Sequence, residues 1–196
     1  MIDQTIFEEF CTRVCQRLDS IEKRESLSED TIRYDFFTVL AKRIDPAELW
    51  LEYPHPVIRG KKIDTFVNST TKTYLEFKYF RRLKAKKNAD RTEQAAALIS
   101  DFLRLESLDD SAARFSILVT DDEMLRYLGN PENGLAGLTT GKNPVTIDIN
   151  RKSDHFRATV SKRTSLEEKS PKNVTVTPIY SSDCHGCRVI VFRVRG

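Results

Sequence analysis

No segment of this 196-residue chain is apolar for long enough to cross a bilayer. Its longest uninterrupted apolar stretches run to a handful of residues, such as 95–99, where a span needs about 20. The amino terminus, Met1-Ile2-Asp3-Gln4, has no basic region with an apolar run behind it, which argues against secretion. The four cysteines are accordingly expected to be reduced thiols in a cytoplasmic protein. Internal repeats and low-complexity tracts are both absent. Cys184-His185-Gly186-Cys187 has no second cysteine pair nearby, and a structural zinc normally takes four ligands. This half site therefore reads as a glycine-containing turn between the last two strands. Cys11 and Cys15 would complete a set of four only if their helix packed against that turn.

What is present suffices for one sizeable core: 39% of the residues are hydrophobic and 31% charged, and the chain reads as a single domain over 1–196. The net charge of +3 hides a pattern. Residues 1–77 carry 11 basic and 14 acidic groups, residues 78–91 carry 7 and 1, residues 92–150 carry 4 and 10, and residues 151–196 carry 10 and 4. Two basic zones flank acidic ones, as expected where one surface meets a polyanion, with nucleic acid the first choice. The competing reading is that both blocks are ordinary solvated faces.

Apolar residues recur at three- and four-residue steps over 4–24, which predicts an amphipathic helix with Cys11 and Cys15 on or beside its buried face. Ser28 is a suitable N-cap for a second helix reaching residue 44, where Asp45-Pro46 ends it. Residues 49–53, 62–67 and 73–79 read as strands, the last two forming a hairpin. Asp90 with Glu93 has the form of a capping box for a helix continuing through residue 108. Residues 115–119 read as a buried strand, and Thr120 with Glu123 as a second capping box before a short helix to Leu128. Four glycines and two prolines fall within 129–144, which predicts a poorly ordered loop. Residues 145–149, 156–160, 174–180 and 188–194 alternate apolar and polar residues as antiparallel strands do, with a polar stretch over 161–173. A helix linking two strands makes a parallel crossover, so the fold class is α/β: a mixed sheet flanked by helices, with a loop and strand-rich C-terminal extension over 129–196.

The chemistry concentrates in the hairpin. With its turn centred on Thr70, residues whose numbers sum to 140 face each other, which sets Asp64 across from Glu76. Like charges so placed are destabilising, and a cation removes the conflict. Two carboxylates with a carbonyl and water form an oxygen site suited to Mg²⁺. Lys78, two residues beyond Glu76, shares its face, while Ile63, Leu75 and Phe77 point into the core. A metal with an adjacent lysine can generate hydroxide and neutralise a pentavalent phosphate. Next along the chain come Arg81, Arg82, Lys84, Lys86, Lys87 and Arg91, of which the first five are candidate nucleic-acid contacts. Glu52, Asp35 and Asp30 are weaker metal-shell candidates, and Asp101 with Arg104 reads as an i, i+3 surface pair.

Asp64, Glu76-Phe77-Lys78 and their strand framing resemble the PD-(D/E)XK nuclease superfamily, which includes type II restriction endonucleases. The resemblance extends to Glu29 and Arg33 in the preceding helix, an E-x-x-x-R pattern, and to the helix-strand-strand-strand-helix-strand order over 27–120. Ile63 stands in place of the proline of the name. The resemblance implies a restriction-endonuclease-like fold with a nuclease core over 27–120. Asp64 and Glu76 would bind Mg²⁺, or Mn²⁺ as a substitute, with the Phe77 carbonyl, Lys78 would act on the attacking water and phosphate, and Glu29 would complete the site. The expected function is a Mg²⁺-dependent endonuclease hydrolysing DNA, double-stranded by preference, as a homodimer if it is a restriction enzyme. The rivals are a nuclease-like fold used only for nucleic-acid binding or as a scaffold, and an enzyme of the same fold acting on RNA or on modified or branched DNA.

Overall fold

A computed structural model describes residues 2–20, 27–80, 89–164 and 173–195. Helix α1 (Gln4–Ser20) buries Ile6, Phe7, Phe10, Cys11, Val14 and Leu18 along one stripe. Asp3 caps it, its Oδ1 accepting from the backbone N–H of Thr5 and Ile6. In α2 (Glu29–Leu40), Ser28 is the N-cap and accepts from Thr31 N at 3.2 Å. This helix stops at Leu40 rather than residue 44, because the turn tightens to a three-residue bond from Arg43 N to Leu40 O.

The strands are β1 (Leu49–Pro54), β2 (Lys62–Val67), β3 (Thr73–Phe80), β4 (Ala113–Asp121), β5 (Val145–Asp148), β6 (Asn173–Cys184) and β7 (Cys187–Arg195). They form one seven-stranded sheet in the order β1-β2-β3-β4-β7-β6-β5. β3 and β4 are parallel, joined through α3 (Ala89–Glu106), and every other neighbouring pair is antiparallel. The architecture is therefore mixed α/β, and the C-terminal strands continue the sheet at β4. No helix among the described residues is long and apolar enough to cross a membrane.

Two cores lie on the two faces. Helices α1 and α2 cover one, around Phe10, Phe36, Leu75 and Phe77. The other lies under α3 with the shorter helices α4 (Asp122–Gly129), α5 (Gly137–Thr140) and α6 (Asp154–Thr164). Several expectations are corrected here. Residues 156–160 are not a strand: Phe156, Val160 and Thr164 fall four apart and are buried on one side of α6, which packs on α3. The glycine-rich segment 129–144 is structured, since Leu135 and Leu138 are buried anchors and Gly134 takes a left-handed φ of 60° that closes a short 3₁₀ turn. α4 is capped by Asp121, which accepts from Met124 N at 2.9 Å, rather than by Thr120. α3 is described from Ala89, which puts the backbone of Asp90 inside it rather than before its first residue.

The cysteine expectation also changes. Cys15 and Cys184 are joined as a disulfide, although 169 residues separate them in sequence. α1 packs against β6, bringing their Cα atoms to 5.3 Å, a proximity no local pattern reveals. The turn reading of residues 184–187 holds, because Cys184 faces Cys187 across His185 and Gly186, which take φ of 47° and 74°.

One half-buried acid gives the fold a pH dependence. Burial raises the Glu106 carboxyl to about 7, with Arg114 pulling the other way, and its Oε2 has no hydrogen-bond partner. Folded protein thus holds this proton more tightly than unfolded chain, whose carboxyl titrates near 4.5. Stability falls as pH rises from about 4.5 to 7 and then levels off. Glu106→Gln is expected to match wild type at pH 4 and to exceed it above pH 7 by on the order of 1–2 kcal/mol after allowance for solvent screening, as read by urea melts across pH.

Candidate active site

The hairpin has the register read from sequence: Thr65 pairs with Leu75, Phe66 with Tyr74 and Val67 with Thr73. The ladder ends at Thr65–Leu75, one residue short of Asp64 and Glu76. There the Asp64 carboxylate bridges the strands instead, its Oδ2 accepting from Phe77 N at 2.7 Å. Leu75 and Phe77 enter the core under α1 and α2, as expected. Ile63 does not join them: it packs in the core under α3, since β2 is paired to β1 rather than β3 beyond this point.

Two arginines and a lysine hold the acids. Arg33, from α2, donates to Asp64 Oδ1 at 3.0 Å and also to Asp30 and Glu52. The β1–β2 register brackets Glu52 between Leu51–Thr65 and Tyr53–Ile63, so it stands across from Asp64, in the left-handed region at φ 53°. A non-glycine residue there is strained, and the Glu52 carboxylate pairs with Arg33. Arg104, from α3, places Nη2 2.9 Å from Glu76 Oε1 and 2.6 Å from Asp101 Oδ1. The Lys78 ammonium lies 2.9 Å from Asp101 Oδ2, 2.8 Å from the Phe77 carbonyl and 3.4 Å from Glu29 Oε1. Glu29 also accepts from Tyr79 N at 3.3 Å, fixing α2 to β3.

Asp64, Glu76, Lys78, Glu29 and the Phe77 carbonyl are thus brought together. Asp101 and Arg104 belong to the same cluster: they are 1% exposed in the case of Asp101 and largely buried in the case of Arg104, not a surface pair. Their three-residue spacing was the only trace in the sequence, and it is shared by any exposed helical ion pair. Asp30 and Glu52 enter through Arg33, whereas Asp35 is buried elsewhere, gripped by Arg17 at 2.5 and 2.6 Å. Arg81, Arg82, Lys84, Lys86 and Lys87 lie outside the described residues. Arg91 pairs with Glu123 at 2.7 Å.

Burial, with Asp101 and Asp64 nearby, pushes the Glu76 carboxyl well above the usual range, and Arg104 offsets only part of this. Burial likewise raises Asp64 and Glu29, against the pull of Lys78 in both. For Lys78 burial acts downward, but Asp101, Glu29, Asp64 and Glu76 outweigh it and the ammonium is held more firmly than usual. Its carboxylate neighbours thus favour the charged ammonium, the form suited to neutralising a phosphate.

The cluster formally holds six carboxylates, Glu29, Asp30, Glu52, Asp64, Glu76 and Asp101, against four cations, Arg33, Lys62, Lys78 and Arg104. Carboxylate oxygens and a backbone carbonyl are the donor types that a hard divalent cation such as Mg²⁺ takes. Among the described residues, no three His, Cys, Asp or Glu side chains are gathered as a metal cage. Comparison of the chain with protein-family models, with curated proteins and with solved structures finds no match.

Proposed function

We propose that this protein is a Mg²⁺-dependent endonuclease hydrolysing DNA phosphodiester bonds. The observation that carries the reading is the meeting of Asp64, Glu76, Lys78 and the Phe77 carbonyl, with Glu29, at the end of the β2–β3 ladder. Asp64, Glu76 and the Phe77 carbonyl would hold the ion, with Mn²⁺ a chemically equivalent replacement. When bound, it supplies a Lewis acid for the phosphate and lowers the pKa of water. Lys78 would contribute a positive charge, favoured by its carboxylate neighbours, to the anion that develops on the phosphate. Asp101 and Glu29 position that ammonium from two sides. Arg33 holds the Asp64 carboxylate while Phe77 N fixes its second oxygen, so this acid is oriented before substrate arrives. The basic runs at 78–91 and 151–196 provide the sequence-independent part of DNA affinity.

The Glu76–Arg104 pair supports a second reading, a nucleic-acid-binding scaffold without catalysis, because it satisfies Glu76 with no metal present. Supercoiled plasmid separates the two. On the nuclease reading, wild type nicks or linearises it with Mg²⁺ and not with EDTA, and Asp64→Asn is at least about 100-fold slower. Retardation of the plasmid without cleavage in Mg²⁺ and Mn²⁺ would instead establish the scaffold.

A further inference from the structure

We propose that Arg104 is a built-in competitor for the divalent cation, holding the site closed to metal until it is displaced. This inference rests on the metal-dependent reading above. One nitrogen, Nη2, stands between Glu76 Oε1 and Asp101 Oδ1 at 2.9 and 2.6 Å, with both acidic side chains 2% exposed. That is a cation position between two buried carboxylates, filled by the protein itself.

The remaining geometry distinguishes Arg104 from Arg33. Arg33 is shared among Asp30, Glu52 and Asp64, so losing one partner leaves it two. Asp64 also keeps its bond from Phe77 N when a cation approaches its other oxygen. Arg104 grips both its acids through the same Nη2, while its Nε is buried with no hydrogen-bond partner. An orphaned donor of this kind offsets part of what the ion pairs contribute, which makes the side chain easier to expel. The side chain retains 14% exposure and sits in the last turn of α3, so it has a short path to solvent. Glu76 then becomes a ligand only after Arg104 leaves, which couples metal loading to a side-chain movement.

The test is calorimetric titration of MgCl₂ into wild type, Arg104→Met, Arg104→Lys, Glu76→Gln and the Arg104→Met/Glu76→Gln double variant, without DNA. Arg104→Met is expected to bind Mg²⁺ at least ten-fold more tightly than wild type. Arg104→Lys falls between, since lysine keeps the charge but loses the planar guanidinium. Glu76→Gln abolishes the gain in the double variant. If Arg104→Met proves unstable, Arg104→Lys and the wild-type side-chain Nε–H resonance of Arg104 carry the test: the resonance shifts with the same half-saturation as the heat. Wild-type affinity unchanged or weakened in the Arg104 variants, with binding still lost in Glu76→Gln, overturns the competitor and leaves the metal site intact. Absence of Mg²⁺ binding in wild type and both Arg104 variants overturns the metal site itself, and the competitor with it.

Discussion

Lys78→Met is expected to slow Mg²⁺-dependent plasmid cleavage by about two to three orders of magnitude, the usual cost of removing one preorganised charge from a phosphate or oxyanion. Methionine preserves the length and apolar stem of the side chain, so the change isolates the ammonium. In wild type that ammonium is fixed by Asp101, Glu29 and the Phe77 carbonyl, and four carboxylates keep it charged. The loss should therefore be the same across pH 6–9, because no lysine proton is exchanged in that range. A base would behave otherwise, its variant losing most where wild type is deprotonated. Removing the ammonium also leaves buried Asp101 with Arg104 as its remaining counter-ion, so rates must be compared on protein shown by circular dichroism to be folded. A Lys78→Met variant that is folded and cleaves at the wild-type rate would remove this residue from the reaction.

The largest stability effect is expected at Phe36. Its ring is fully buried and meets Phe10 edge-on at 5.1 Å, Phe77 at 5.3 Å and Phe7 at 6.3 Å, joining α1, α2 and β3. Phe36→Ala removes the ring from the middle of this set and leaves a cavity that three flanking elements cannot all close. The cost is about 3–5 kcal/mol, and at about 2–4 °C per kcal/mol for a chain of this size the melting temperature falls by roughly 6–20 °C. Phe36→Leu, which refills part of the volume, is expected to recover about half. Because Phe77 is one wall of that cavity and its carbonyl accepts from Lys78, Phe36→Ala should also weaken Mg²⁺ binding. A loss below about 1 kcal/mol would show that α1 and α2 rearrange to fill the space.

On the nuclease proposal, the basic segment after β3 would bear on substrate choice more than on rate. Phosphate contacts from Arg81 to Lys87 would make binding steeply dependent on salt without selecting sequence. Any sequence preference must then come from side chains reaching base edges, and the continuation of the sheet through β7, β6 and β5 puts additional surface beside the core strands.

Periodicity, caps and turn spacing determined the local elements. Alternating β-branched and aromatic residues marked β2 and β3, and their five-residue polar connection fixed the register that placed Asp64 near Glu76. The three-and-four spacing of Phe7, Phe10, Val14 and Leu18 marked α1 and its buried side. These signals suffice because backbone geometry repeats within a few residues. Short apolar pieces misled: Phe156 and Val160 suit a strand and a helix equally, and packing on α3 decides for the helix. What only the tertiary structure decided was the company each charge keeps. Arg104 and Asp101 become part of the site because α3 lies across β3, Glu52 because β1 pairs with β2, and Cys15 meets Cys184 because α1 covers the far hairpin. Electrostatic and covalent partners are chosen by distance in space, and a distance spanning dozens of residues has no period for a linear pattern to record.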